Sequence, residues 1–201
     1  MKILFIDTAH PFLREQLMLA GYECDDFPGY SYQDYLGIAG NYSGIVIRSK
    51  IPVDARFLKA AHSLRFVARV GAGMENIDVE TAEKQGIICL NAPEGNRNAV
   101  AEHALGMLLA LMNHLPKVDA EVRRGIWIRA ANRGTEIKGK TIGIIGFGNT
   151  GSAFARKLAG FEAVVLAYDK YKSGFGNNHV IECDMNRIFA EADVLSLHIP
   201  L

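Results

Sequence analysis

Cysteine is scarce in this sequence: Cys24, Cys89 and Cys183 are the only three in 201 residues, far apart and never paired as Cys-x-x-Cys. An odd, scattered set argues against a disulfide framework or a zinc site and fits thiols in a reducing cytoplasm, the expected location. Long hydrophobic runs are missing too. None approaches the roughly 18 residues of a membrane span, so no membrane partner is expected. Neither sign of charge dominates, with 22 Lys plus Arg against 22 Asp plus Glu, so no net field favours nucleic acid. His10, His62, His114 and His179 form no His-x-x-x-His spacing, and no metal site is expected. Internal repeats and low-complexity tracts are absent. The N-terminus, Met1-Lys2-Ile3-Leu4-Phe5-Ile6-Asp7, is charged within seven residues and lacks a small-residue cleavage pattern, so it reads as a strand and not as a signal peptide.

What is present is an ordinary globular balance, 49% hydrophobic and 22% charged, long enough for one large domain or two small ones. Short apolar runs alternate with segments of helical period, the pattern of an α/β fold with parallel sheets. Strands are predicted at 2–7, 44–48, 65–70, 87–91, 141–145, 163–168 and 194–198. Helices are predicted at 11–20, 54–61, 79–85, 99–115, 151–159 and 185–190. Asp54 and Asp78 are candidate N-caps, and Gly86 and Gly160 candidate C-terminal stops. The segment Ala99–Leu115 is apolar around nearly its whole circumference, which predicts burial on most sides, between domains or between subunits. The boundary is therefore placed near Pro93–Asn96, giving domains 1–95 and 96–201, with Trp127 packed in the connector.

The strand 140–145 runs straight into Gly146-Phe147-Gly148-Asn149-Thr150-Gly151, and a helical segment follows at once. In that context the Gly-x-Gly-x-x-Gly turn carries a mechanism. Gly146 permits the tight turn, and Gly148 lets backbone amides approach a pyrophosphate. Gly151 lets helix and strand pack closely, and the helix N-terminus supplies positive potential. Eighteen residues after Gly151 stands Asp169, at the end of the next strand. A carboxylate there accepts from ribose hydroxyls and repels a 2′-phosphate, so NAD is the expected cofactor over NADP, with Lys170 beside it tempering that preference. On position alone His198, at the carboxyl end of a strand, is a candidate acid.

Further motifs widen the pattern: Arg48-Ser49-Lys50, Arg69-Val70-Gly71-Ala72-Gly73, Asn76-Ile77-Asp78, Asn91-Ala92-Pro93, Asn96, Val100-Ala101-Glu102, Gly134-x-Glu136-Ile137-x-Gly139-Lys140 and Ser196-Leu197-His198-Ile199-Pro200-Leu201. Together with the glycine turn they resemble the D-isomer-specific 2-hydroxyacid dehydrogenase family, and within it the phosphoglycerate dehydrogenase branch. The resemblance implies a flavodoxin-like substrate domain followed by a Rossmann NAD-binding domain. It implies that the amides of Ala72 and Gly73 hold a substrate carboxylate, that Arg48, Ser49 and Asn96 lie near the substrate, and that His198, Ile199 and Pro200 line the cofactor from the third Rossmann strand. Lys50 with Arg48 would meet a substrate phosphate, and Arg69 reads equally as a functional residue and as a solvated strand end. His103 reads as a packed or subunit-contact residue.

Two departures stand out. Thr150 replaces the aliphatic residue usual before the last glycine. Relatives also continue past the position of Leu201 with the second half of the sheet and with the catalytic arginine, glutamate and histidine. None of these has a counterpart here, so no catalytic residue is assigned, this chain by itself is expected to be inactive, and a longer protein is expected. The small-molecule partner implied is a 2-hydroxy or 2-keto acid, most specifically 3-phosphoglycerate, and the apolar helix implies a homodimer through Met107, Leu108 and Leu111. A non-catalytic NAD-binding sensor or interaction module is the alternative. If only the first three Rossmann strands are present, Thr141–Ile145 becomes an unprotected sheet edge.

Overall fold

Short runs rich in β-branched and aliphatic residues, too short for helices, form central strands of both sheets, at Lys2–Phe5, Gly44–Ile47, Thr141–Ile145 and Val164–Tyr168. The computed structural model describes residues 1–199, and the chain divides into two compact units, Met1–Gly95 and Asn96–Leu201.

In the first unit, β1 (Lys2–Phe5), β2 (Glu23–Asp26), β3 (Gly44–Ile47), β4 (Phe66–Arg69) and β5 (Ile88–Leu90) alternate with α1 (Pro11–Leu19), α2 (Tyr32–Ile38), α3 (Ala55–Ala60) and α4 (Val79–Lys84). The sheet is parallel with order β2-β1-β3-β4-β5, the flavodoxin-like arrangement. Side chains alternate between its faces with period two. Leu4, Ile6, Ile45, Ile47 and Val67 pack with Tyr35, Phe57 and Leu58, while Ile3, Phe5 and Val46 pack with Leu13 and Leu17 of α1. Asp54 and Asp78 do cap α3 and α4, accepting from the amides of Phe57 and Thr81.

In the second unit, α5 (Arg97–Met112) and α6 (Leu115–Val122) precede β6 (Thr141–Ile145), α7 (Asn149–Leu158), β7 (Val164–Tyr168), β8 (Ile181–Glu182), α8 (Met185–Glu191) and β9 (Val194–Leu197). The parallel sheet has order β8-β7-β6-β9. Ile142 and Ile144 pack toward α5 and α7, and Ile145 and Leu166 toward Ile188 of α8. Gly143 lets α8 come close: a Cβ there would lie 2.7 Å from Ile188 Cγ2 and 3.0 Å from the Ala192 Cβ.

This topology corrects two expectations. The two-residue β8 is a Rossmann third strand, so the strand ending before His198 is the fourth. Thr141–Ile145 is then central, paired to β7 on one side and β9 on the other, and the described edges are β8 and β9. A two-residue strand is too short to show periodicity, which is why the count fell one short. The single helix predicted over 99–115 is also two helices. His114 takes a left-handed φ of 53°, and α6 then starts at Leu115, with Pro116 in its first turn. Within the chain only Ala101 and Leu108 of α5 are buried, whereas Met107 and Leu111 are 61% and 68% exposed. Trp127 is 81% exposed and packs in no connector. Gly86, with φ 74°, follows α4 as expected, but Gly160 does not stop α7; a 3-10 turn over Ala159–Phe161 continues it, and Glu162 adopts the left-handed conformation. The strand β2 and helix α2 were not foreseen.

Because Gly143 faces α8 at van der Waals contact, Gly143→Ala should destabilise the second unit by about 1–3 kcal/mol through overpacking. Urea denaturation followed by circular dichroism measures it, and an unchanged midpoint would contradict the packing described.

Candidate functional site

The glycine turn is built by three different constraints. Gly146 has φ 92°, a left-handed conformation that side chains disfavour, and a Cβ on it would lie 2.5 Å from the His198 carbonyl oxygen. A Cβ on Gly151 would collide with the Gly146 carbonyl, so α7 packs on the turn only with glycine there. Gly148 is the N-cap of α7 and offers no side-chain cap to the helix amides. A Cβ at Gly148 would meet no protein atom within 4 Å, so a side chain there would obstruct only what approaches α7 from outside. Uncapped amides at a helix N-terminus suit a phosphate. Asn149, Thr150 and Gly151 form the first turn of that helix.

Asp169 stands at the end of β7 and ties the turn in place. Its Oδ2 accepts from the Phe147 amide at 2.8 Å, and its Oδ1 accepts from the amides of Tyr171 and Lys172 at 2.8 and 3.0 Å. Burial alone would raise its pKa, but these amides and Lys172 outweigh it and hold the carboxyl below its usual range. Two carboxylate oxygens have about four acceptor positions. Three are used, which leaves room for a ribose hydroxyl. The turn, the α7 N-terminus and Asp169 together fit a dinucleotide. Lys170 lies over the Tyr171 ring, 5.3 Å from its centroid.

His198 follows β9 and is half-buried. Its Nδ1 is hydrogen-bonded to Thr150 Oγ1 at 3.2 Å and its Nε2 to Ser196 Oγ at 2.9 Å, with the Phe154 ring 5.5 Å away. Burial pushes its pKa down. The Thr150 departure thus has a physical account: its hydroxyl holds an imidazole that an aliphatic residue could not. Ile199 follows on, with its side chain near Gly146, whereas Pro200 lies outside the described residues.

In the first unit the expected substrate residues follow the carboxyl ends of β3 and β4. Arg48 and Ser49 are exposed, and Ala72 and Gly73 are half-buried. The Asn91 amide donates to the Ala72 carbonyl at 2.6 Å. The Glu75 carboxylate sits over Gly73 and pairs with Arg69 at 3.7 Å. Arg69 Nε also donates to the Arg48 carbonyl at 3.2 Å, so Arg69 tethers the loop. Lys50 is not presented as a phosphate ligand: its ammonium donates to the Pro28 carbonyl at 2.6 Å and to Tyr35 Oη at 3.0 Å. Asn96 is the exposed N-cap residue of α5, in the second unit. Missing from the sequence reading was Asp7, whose carboxylate accepts from the amides of Arg48, Ser49 and Lys50. Its position at the end of the first strand was the available signal.

A groove of about 1130 Å³ also opens on the second unit, bounded by α5, the start of α6, α7 and β9. Met107, Leu108, Leu111, Phe154, Leu195 and Leu197 line it, and exposed His103 lies at its side. No helix among the described residues is long and apolar enough to cross a membrane. Among the same residues no cluster of three or more His, Cys, Asp or Glu is arranged to hold a metal.

Comparison with known proteins matches residues 105–201 to the family described as D-isomer specific 2-hydroxyacid dehydrogenase, NAD binding domain. The chain is 34% identical over 202 residues to D-3-phosphoglycerate dehydrogenase of Archaeoglobus fulgidus, covering all of this chain and 38% of that protein. It is 42% identical over 158 residues to the Mycobacterium tuberculosis D-3-phosphoglycerate dehydrogenase, covering 78% of this chain and 30% of that one. The chain thus spans well under half the length of these relatives. Among solved structures, the apo-structure of D-lactate dehydrogenase from Escherichia coli superposes with a TM-score of 0.77 at 28% identity, over all of this chain and 66% of that one.

The lowered pKa of His198 fixes a pH dependence. A folded-state value below the free imidazole value near 6.5 means the unfolded chain binds more protons below that pH. The contribution to stability is therefore complete above about pH 6.5 and declines as pH falls below it. Thermal melts from pH 7.5 to 5.5 should show a decline that His198→Gln makes shallower; an identical slope in the variant would refute the assignment.

Proposed function

The chain belongs to the D-isomer-specific 2-hydroxyacid dehydrogenase family, and from that premise we propose that the protein oxidises a D-2-hydroxyacid to the 2-keto acid, or runs the reverse, with NAD. The observation that carries this reading is the Asp169 carboxylate bonded to the Phe147 amide inside a glycine turn whose helix N-terminus has no side-chain cap. In this reading NAD supplies the two-electron acceptor when bound. The uncapped amides of Asn149, Thr150 and Gly151 at the start of α7 hold the pyrophosphate, and Asp169 receives a ribose hydroxyl. His198 and Ile199 line the cofactor. In the first unit, the amides of Ala72 and Gly73 seat the substrate carboxylate. Arg48 and Ser49 bind the rest of the substrate, and Arg48 meets the phosphate if the substrate is 3-phosphoglycerate. Oxidation removes a hydride from C2, which NAD accepts, and a proton from its hydroxyl, which a general base accepts; no residue of this chain is assigned that role.

The protein encoded by the full reading frame should reduce phosphohydroxypyruvate or glyoxylate with NADH, while residues 1–201 alone should bind NADH without turnover. Calorimetry should find NAD(H) bound more tightly than NADP(H), and Asp169→Ala should narrow that gap. NADH binding with no turnover by the full protein would favour a non-catalytic NAD sensor, and tighter NADP(H) binding would overturn the cofactor assignment.

We further propose a homodimer with its contact on α5. Met107 and Leu111 present about two-thirds of their surface to solvent, an exposure that apolar residues of this size relieve by pairing. Leu108 belongs to the core of its own unit, so it does not report on the contact. Leu111→Asp should convert the dimer into a folded monomer in analytical ultracentrifugation; a wild-type monomer at micromolar concentration would end the proposal.

A further inference from the structure

Strand order 2-1-3-4-5 reverses direction between β1 and β3, and in open parallel sheets the crevice at such a switch point is where ligands bind. Asp7 follows β1 and Arg48-Ser49-Lys50 follows β3, so this point lies between them. There the amides of Arg48, Ser49 and Lys50 all donate to a single oxygen, Asp7 Oδ2, at 2.7, 2.8 and 3.0 Å. Three successive amides aimed at one point make an anion site, and here the anion is the protein's own. The same loop is tied again on its carbonyl side by Arg69 at Arg48, and by the Lys50 ammonium at Pro28 and Tyr35. With the backbone and Lys50 committed inward, the exposed Arg48 and Ser49 side chains project from a fixed platform. A solvated aspartate at a strand end would share its lone pairs with water and would not gather three consecutive amides on one oxygen.

We propose that Asp7 is a positioning residue that sets the substrate preference of this site. It fixes the loop so that Arg48 and Ser49 meet the non-reacting end of the 2-hydroxyacid. By filling the amide site at the switch point, it also keeps the substrate carboxylate off residues 48–50 and directs it to Ala72 and Gly73. The inference rests on the dehydrogenase reading above and adds to it a residue that touches neither substrate nor cofactor.

The test uses the protein from its full reading frame, with 3-phosphoglycerate and NAD as the assay pair. Loss of charge-assisted hydrogen bonds to a loop that binds substrate equally in ground and transition states raises KM and leaves kcat nearly alone. Asp7→Ala should therefore raise KM about tenfold or more, with kcat within about twofold. The Kd for NADH, read by fluorescence, should not move. Added formate, a small carboxylate able to re-enter the amide site, should lower the variant's KM and leave the wild type unchanged. If Asp7→Ala is insoluble, Asp7→Asn, which keeps one acceptor oxygen, should show an intermediate KM. An unchanged KM, a loss confined to kcat, a parallel loss of NADH binding, or no response to formate would each overturn the proposal. Wild-type protein that binds NADH but oxidises no 2-hydroxyacid would instead defeat the dehydrogenase reading. In that event amide exchange at residues 48–50 decides the inference: acceleration in Asp7→Ala, reversed by formate, supports it, and unchanged exchange refutes it.

Discussion

Hydrogen bonds from backbone amides to a carboxylate at the end of a parallel strand hold both candidate binding loops. In the first unit Asp7 gathers the amides of residues 48–50. In the second, Asp169 gathers those of Phe147, Tyr171 and Lys172. Loops that leave the carboxyl ends of parallel strands carry amides with no ladder partner, and an unpaired amide shielded from water is costly. An aspartate one or two residues past the strand satisfies several at once, and being ionised it does so with the stronger, charge-assisted bond. The loops can then be both irregular and rigid, which is what a site made of backbone donors requires.

That arrangement divides the labour between side chain and main chain. At the glycine turn the groups offered to a ligand are amides, and the side chains that matter are those that position them. Thr150 illustrates this. By sequence it is a departure from an aliphatic pattern, and in the structure its hydroxyl joins the start of α7 to His198. Arg69 and Lys50 play comparable parts in the first unit, where two cations that read as ligands are spent on the Arg48 and Pro28 carbonyls. Arg48 keeps its charge outward.

The glycine turn, its strand and Asp169 were legible because each rests on local backbone geometry that only certain residues permit. The N-caps Asp54 and Asp78 were legible for the same reason. What escaped was set by neighbours far along the chain. The β2 sequence Glu23-Cys24-Asp25-Asp26 has no apolar alternation, and it is a strand because β1 offers it a partner. With Ile181–Glu182 unseen, the strand count fell one short and a central strand was assigned to the edge. Other errors had signals that were present and passed over. Ser31 and Asp34 form the capping box that opens α2, and Pro116 marks the restart after His114. The roles of Lys50 and Asp7 depended on which carbonyls and amides the fold brought to them, and spacing carries no such information.

The close approach of Gly146 to the His198 carbonyl bears on the order in which the molecule takes shape. Gly146 and His198 are 52 residues apart. The β6–α7–β7 stretch is local and able to form early, whereas contacts that close long loops form late. On a ribosome, then, the contact between the glycine turn and the His198 carbonyl can form only after the strand ending at Leu197 has emerged.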